Sequence, residues 1–179
     1  MTDSIGEPQV QRLVHTAIRQ VWAQCPDLVQ DDVHERTVVA HIASAINQGI
    51  AGLPGSWRAD VEYDRIWRHG TGAIRKKLWK FREGDGEDDF RAVIPDLIVH
   101  DPRGLTSPRC LLVLEAKKGR VTKKGREHDY VKLCAFRQQL GYQHTVFLEF
   151  DGVGGRPRVE WIRSAYKYPD PSVHASEEL

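Results

Sequence analysis

The sequence predicts an α/β fold in which a mixed sheet of about four to five strands is flanked by helices. Two observations carry this expectation. Apolar residues recur at helical spacing near the start of the chain and again after residue 124, and between and beyond these stretches stand short apolar runs bounded by Gly, Pro and Asp. The resulting order is helix, helix, strand, strand, strand, helix, strand, strand. With 179 residues, the chain suits one domain with a single core better than two domains joined by a linker. The expected organisation is one domain over 1–179, with a helical part at 8–48, a sheet core at 57–163 and a loosely ordered tail at 165–179.

From Pro8 to Cys25 the residues Val10, Leu13, Val14, Ala17, Ile18, Val21 and Trp22 share one helical face, and Pro8 suits a first turn. After a break at Pro26, Asp31 or Asp32 can cap a second helix running to about Asn47, with Val38, Val39, Ile42 and Ile46 as its stripe. Ala59, Val61 and Tyr63 alternate with Arg58, Asp60 and Glu62, the period of a strand. Ile66 to Phe81 mixes aromatic and basic residues and reads as a helix or irregular arm, followed by an acidic loop from Glu83 to Asp89. The apolar runs Ala92 to Val99 and Cys110 to Leu114 flank Asp101-Pro102-Arg103-Gly104 and Ser107-Pro108, and so form a hairpin. A helix from Lys124 ends at Gly141, and strands at Thr145 to Phe150 and Arg158 to Ile162 flank the turn Asp151 to Gly155.

Hydrophobic residues make up 40% and charged residues 28%, the composition of a soluble globular protein. No apolar run is long enough to cross a bilayer, and residues 1–7 lack the basic and apolar segments of a secretion signal, so no membrane partner and a cytoplasmic location are expected. Cys25, Cys110 and Cys134 are widely spaced, which predicts neither a disulfide framework nor a zinc site. The 26 basic residues nearly balance the 25 acidic ones, so only local charge can argue for a nucleic-acid partner.

Charged groups stand at the ends of two buried strands, in Ile94-Pro95-Asp96 and in Leu114-Glu115-Ala116-Lys117. Alternation turns Glu115 and Lys117 to one face and Ala116 to the other. Opposed residues in a hairpin have a constant sum of numbers, and pairing Asp96 with Glu115 centres the turn between Leu105 and Thr106, inside the predicted loop. Two carboxylates side by side repel unless a cation lies between them, and a hard divalent ion suits oxygen ligands. Glu35 falls on the same helical face as Val38, Val39, Ile42 and Ile46, and a carboxylate aimed toward a core needs a cationic partner. The same residues would also serve an ordinary structural ion pair, and the three-residue string is short. Its position beside paired apolar strands gives it weight.

These residues resemble the PD-(D/E)xK nuclease superfamily, which has the restriction-endonuclease-like fold with a core order αβββαβ. The resemblance lies in Glu35, Pro95-Asp96 and Glu115-Ala116-Lys117, in the order of elements from about Asp32 to Ile162, and in Asp129-Tyr130-Val131-Lys132-Leu133 and Leu140-Gly141-Tyr142. Gln138 and Tyr142 also fit a loose Gln-x-x-x-Tyr pattern of some members. The resemblance implies hydrolysis of nucleic-acid phosphodiesters, DNA before RNA, with Mg²⁺ or Mn²⁺ held by Asp96, Glu115 and the Ala116 carbonyl. It gives Lys117 the attacking water, and Glu35 a share in binding metal or water. A non-catalytic binding module of this fold, or a subunit active only as a homodimer or with another protein, remains open.

Two basic sets are candidates for contacting nucleic acid. Lys117, Lys118, Arg120, Lys123, Lys124 and Arg126 begin at the proposed centre, while Arg75, Lys76 and Lys77 lie in the basic arm. His34, His41 and His128 have no metal-ligand spacing, and Trp22, Trp57 and Trp161 read as core. If about six phosphates are neutralised on duplex DNA, a plot of log affinity against log salt has a slope of about −5, which a salt titration of binding measures.

Overall fold

Helix α1 (Glu7–Gln24) buries Val10, Val14, Ala17, Ile18 and Val21, the face its apolar spacing requires. In the computed structural model, which describes residues 5–30, 33–53, 55–63, 65–68, 72–75, 77–79, 90–102, 109–150 and 156–163, this helix is followed by a short α2 (Pro26–Gln30). Pro26 therefore begins a helical turn as well as ending α1, because its fixed φ suits a first helical position. Helix α3 (Glu35–Ile50) buries Val38, Val39, Ile42, Ala43, Ala45, Ile46 and Ile50. Its N-cap is His34, which makes no side-chain cap hydrogen bond, and this corrects the expected aspartate cap. Asp31 and Asp32 lie outside the described residues. Glu35 instead stands in the first turn, where the helix dipole favours negative charge.

The strands follow in chain order as β1 (Arg58–Val61), β2 (Arg65–Arg68), β3 (Gly72–Arg75), β4 (Lys77–Trp79), β5 (Phe90–Ala92), β6 (Leu97–Asp101) and β7 (Arg109–Lys118). Helix α4 (Lys123–Leu140) precedes β8 (His144–Phe150) and β9 (Arg158–Trp161). Five strands form one mixed sheet in the order β1-β6-β7-β8-β9, in which β7 and β8 are parallel and the other pairs antiparallel. The α/β expectation therefore holds at the level of a five-stranded mixed sheet flanked by helices. Two expectations need correction. Of the segment from Ile66 to Phe81, expected as a helix or irregular arm, the described residues form strands instead: β2 pairs with β3, aligning Ile66 with Ile74, while β4 pairs with β5. These strands, Arg-Ile-Trp-Arg, Gly-Ala-Ile-Arg and Lys-Leu-Trp, carry no clean apolar/polar alternation from which a period of two could be read. The run Ala92 to Val99 is not one strand either, since it is divided between β5 and β6 at Ile94-Pro95-Asp96. Pro95 has no N–H to give to a ladder, so pairing stops there.

The β6–β7 register aligns Leu97 with Leu114, Ile98 with Val113 and Val99 with Leu112, the same numerical sum that pairs Asp96 with Glu115. A bulge after Val99 shifts the pairing to His100 with Cys110. The expected turns at 103–108 and 151–155, the acidic loop at 83–89 and the tail at 165–179 lie outside the described residues.

One sheet face carries Leu97, Val99, Leu112, Leu114, Ala116, Val146 and Leu148 against the stripes of α1 and α3. The other packs Ile98, Val113 and Phe147 against Val131, Leu133, Ala135 and Phe136 of α4. Trp22, Trp57 and Trp161 pack at the rim of the first core, as their apolar bulk predicts. Helix α4 ends where expected, with Gly141 at φ 74°, a left-handed turn that glycine adopts without steric cost. Cys25, Cys110 and Cys134 form no disulfide among the described residues. Among the described residues no helix is long and apolar enough to cross a membrane.

Leu114 is fully buried on the central strand against the α1/α3 layer. Leu114→Ala is expected to lower the unfolding free energy by about 2–5 kcal/mol, read from the midpoint of a urea titration.

Candidate active site

Strand β7 runs through the middle of the sheet, with Leu112, Val113, Leu114 and Ala116 fully buried, and then ends in charge. Glu115 is 1% exposed and lies on the α4 side, where Lys132 Nζ is 2.8 Å from its carboxylate. Lys132 also donates to the Ile94 carbonyl at 3.1 Å, which ties α4 to the segment leading into β6. Three residues earlier on α4, and so on the same helical face, is Asp129, 5% exposed.

Lys117 lies between the two helical layers. Its Nζ is 3.7 Å from Glu35 on α3 and 3.8 Å from Asp129 on α4, and it donates to the Ala116 carbonyl at 2.9 Å. Glu35 is fixed from its other oxygen, which accepts the Lys118 backbone N–H at 2.7 Å. Asp96 stands just outside β6, and its Oδ2 accepts the Ala116 N–H at 2.8 Å. A side chain thus completes the next rung of the β6–β7 ladder where Pro95 has interrupted the backbone. The structure places Glu35, Asp96, Glu115 and Lys117 around the end of β7, with Asp129 and Lys132 beside them.

Burial pushes the Glu115 carboxyl up to about 8, against the opposing pull of Lys132. Burial likewise raises Glu35, opposed by Lys117 and the Lys118 N–H, and raises Asp129, opposed by Lys117 and Lys132. Lys117 moves in the opposite sense to a merely buried amine. Burial depresses it, but Asp129, Glu35, Asp96 and Glu115 together outweigh that effect and raise it. Four carboxylates thus face two ammonium groups. Glu115 Oε1 and Asp129 Oδ2 are buried without a well-directed hydrogen bond among the described residues, and are met by ion pairs alone, with Lys132 Nζ at 2.8 Å and Lys117 Nζ at 3.8 Å. No trio of Asp, Glu, His or Cys among the described residues stands close enough to enclose a metal ion as the side chains lie.

Beside this cluster is a cavity of about 60 Å³ lined by Glu35, Arg36, Val39, Glu62 and Asp96. Arg36 and Glu62 form an ion pair at its edge. Glu62 has φ 48°, a left-handed conformation uncommon for a residue with a Cβ, and its N–H donates to the Asp96 carbonyl at 3.1 Å.

The expected nucleic-acid contacts fall out unevenly. Lys118 turns its ammonium inward to the Val33 carbonyl at 2.7 Å. Arg120, Lys123 and Lys124 are exposed, with Lys123 loosely paired to Glu127 at 4.0 Å. Arg126 is engaged by Glu149 at 2.6 Å and by Glu160 at 3.4 Å. Arg75 and Lys77 lie in β3 and β4, and Lys76 is outside the described residues. Of the loose Gln-x-x-x-Tyr pair, Gln138 is exposed while Tyr142 is core, packed edge-on against Phe136. The sequence reading assigned no role to Asp129, Lys132, Arg36 or Glu62. For the first two the available signal was their three-residue spacing on a helix that packs against the sheet.

Comparison of the chain with protein-family models, curated proteins and solved structures finds no match in any of the three.

An acid raised from 4.5 to about 8 on folding holds its proton in the folded chain across a window where the unfolded chain has lost it. The folded chain therefore loses stability as pH rises through that window. Glu115→Gln keeps the shape of the protonated carboxyl and removes the loss. Its stability relative to the parent, measured by chemical denaturation in EDTA, is expected to grow between pH 5 and 8 by up to about 1.4 kcal/mol per pH unit. A difference that does not change with pH contradicts the raised carboxyl.

Proposed function

We propose that this chain is a metal-dependent nuclease with the restriction-endonuclease-like fold, hydrolysing phosphodiester bonds of nucleic acid, DNA in preference to RNA. The observation that carries this reading is the buried Glu115 carboxylate, 1% exposed, at the end of a strand shared with Lys117 and beside Asp96. Burying such a group costs several kcal/mol unless a proton or cation relieves it. The substrate preference rests on the resemblance to PD-(D/E)xK nucleases alone.

The donor set suits a hard cation. Asp96, Glu115 and the Ala116 carbonyl are oxygen donors at one strand end, and Mg²⁺ or Mn²⁺ prefers such ligands. Glu35, on the cavity that Asp96 also lines, would join through an oxygen or a water. A bound ion supplies a water of lowered pKa and neutralises charge that develops on the phosphate.

The residues divide the remaining work. The Ala116 N–H holds Asp96 in one orientation, and Lys132 does the same for Glu115. Lys117 is held between Glu35 and Asp129, and with its pKa raised it stays an ammonium at neutral pH. In that form it is a poor base but a well-placed positive charge, able to orient a water and to stabilise a phosphate gaining charge. Glu35 is the partly exposed acid beside it and can accept a proton from that water.

The test is incubation of the purified protein with supercoiled plasmid, linear duplex, single-stranded DNA and RNA in Mg²⁺, Mn²⁺ or EDTA. Cleavage of DNA that requires the ion is expected, with the rate falling about a hundredfold or more in Asp96→Ala, Glu115→Gln and Lys117→Ala while circular dichroism is unchanged. Cleavage that persists in EDTA, or in all three variants, contradicts the assignment.

A further inference from the structure

The cavity beside the acid cluster poses an electrostatic difficulty for any phosphate that approaches it. Among its described lining residues are three carboxylates, Glu35, Glu62 and Asp96, and one cation, Arg36. An anion nearing three carboxylates is repelled unless a positive group meets it there. Arg36 directly follows Glu35 in α3, so its position is fixed relative to the carboxylate that also holds Lys117. Its side chain is 70% exposed and reaches over the cavity edge to Glu62.

We infer that Arg36 is a phosphate-binding residue whose guanidinium, held here by Glu62, transfers to a backbone phosphate of nucleic acid seated beside Glu35 and Asp96. This rests on the nuclease reading for the identity of the ligand. The guanidinium fork offers paired N–H donors that match carboxylate and phosphate oxygens alike, so Glu62 occupies the position a phosphate takes. The exchange is inexpensive because both partners of the ion pair are exposed and the pair is weak in water. Glu62 is well fixed for this part. Its left-handed backbone is tied through its N–H to the Asp96 carbonyl, so the residue that holds Arg36 is coupled to the one proposed to hold metal.

The experiment is fluorescence anisotropy of a labelled duplex with the full chain in Ca²⁺, titrated at several salt concentrations, with a gel to check the probe for cleavage. Arg36→Ala is expected to weaken binding about tenfold or more and to make the salt slope shallower by about 1, as for the loss of one phosphate contact. Arg36→Lys keeps the charge but not the fork, and is expected to recover the slope with only part of the affinity. Glu62→Gln removes the competitor for Arg36 and is expected to tighten binding. Arg36→Ala and Glu62→Gln both binding as the parent does overturns the inference, and so does a parent that binds no nucleic acid. Binding that depends on Arg36 without any plasmid cleavage leaves the phosphate contact standing and removes the nuclease reading. Cleavage by a parent whose binding ignores Arg36 does the reverse.

Discussion

A carboxylate buried at the end of the central strand is the constraint on which the rest of the site depends. From Cys110 to Leu114 strand β7 is apolar on both faces, and Glu115 is nearly as inaccessible as the leucines before it. Such a group must be neutralised, and the surroundings supply two partial answers, the Lys132 ammonium and a retained proton. Asp96 and Asp129 add further negative charge within electrostatic reach of Glu115, and Glu35 adds to it around Lys117. Lys117 gives positive charge to the outer part of the cluster and is itself held charged by it. A bound cation, as proposed above, would relieve this crowding of acids.

The sheet explains how the groups meet. Alternation along β7 sends Ala116 into the α1/α3 core and leaves Glu115 on the α4 side. The first turn of α3 brings Glu35 to the same strand end, where the Lys118 N–H fixes it. Proline at 95 ends backbone pairing one residue before Asp96, which frees that side chain to cap the ladder through the Ala116 N–H. Each of these three acids is thereby held by a backbone or side-chain donor.

The β6–β7 pairing was legible in the sequence because two apolar runs of fixed spacing and a turn between them leave little choice of register. Strand alternation then put Glu115 and Lys117 together, and the α3 stripe turned Glu35 toward them. Other features had no local signature. Strands β2 to β4 are three or four residues long and mix basic and aromatic residues without alternation, so the sequence suggests a helix or irregular arm there instead. Asp129 and Lys132 form a three-residue pair on a helix rich in charge, where a solvated pair would look the same. The contact of Arg36 with Glu62 joins two elements distant in sequence, and no periodicity reports it. Lys118 counts as a nucleic-acid contact in the sequence because charge alone does not tell which way a side chain turns, and the Val33 carbonyl captures it.

The most direct measurement is isothermal titration of the metal-free chain with Mn²⁺ in two buffers of different ionisation enthalpy at pH 7.5. Saturable binding that releases protons is expected, because an ion that takes Glu115 as a ligand displaces the proton burial has retained. The binding is expected to be lost in Asp96→Ala, and the proton release to be lost in Glu115→Gln. No saturable binding by the parent, or equal binding by Asp96→Ala, contradicts a metal centre at the end of β7.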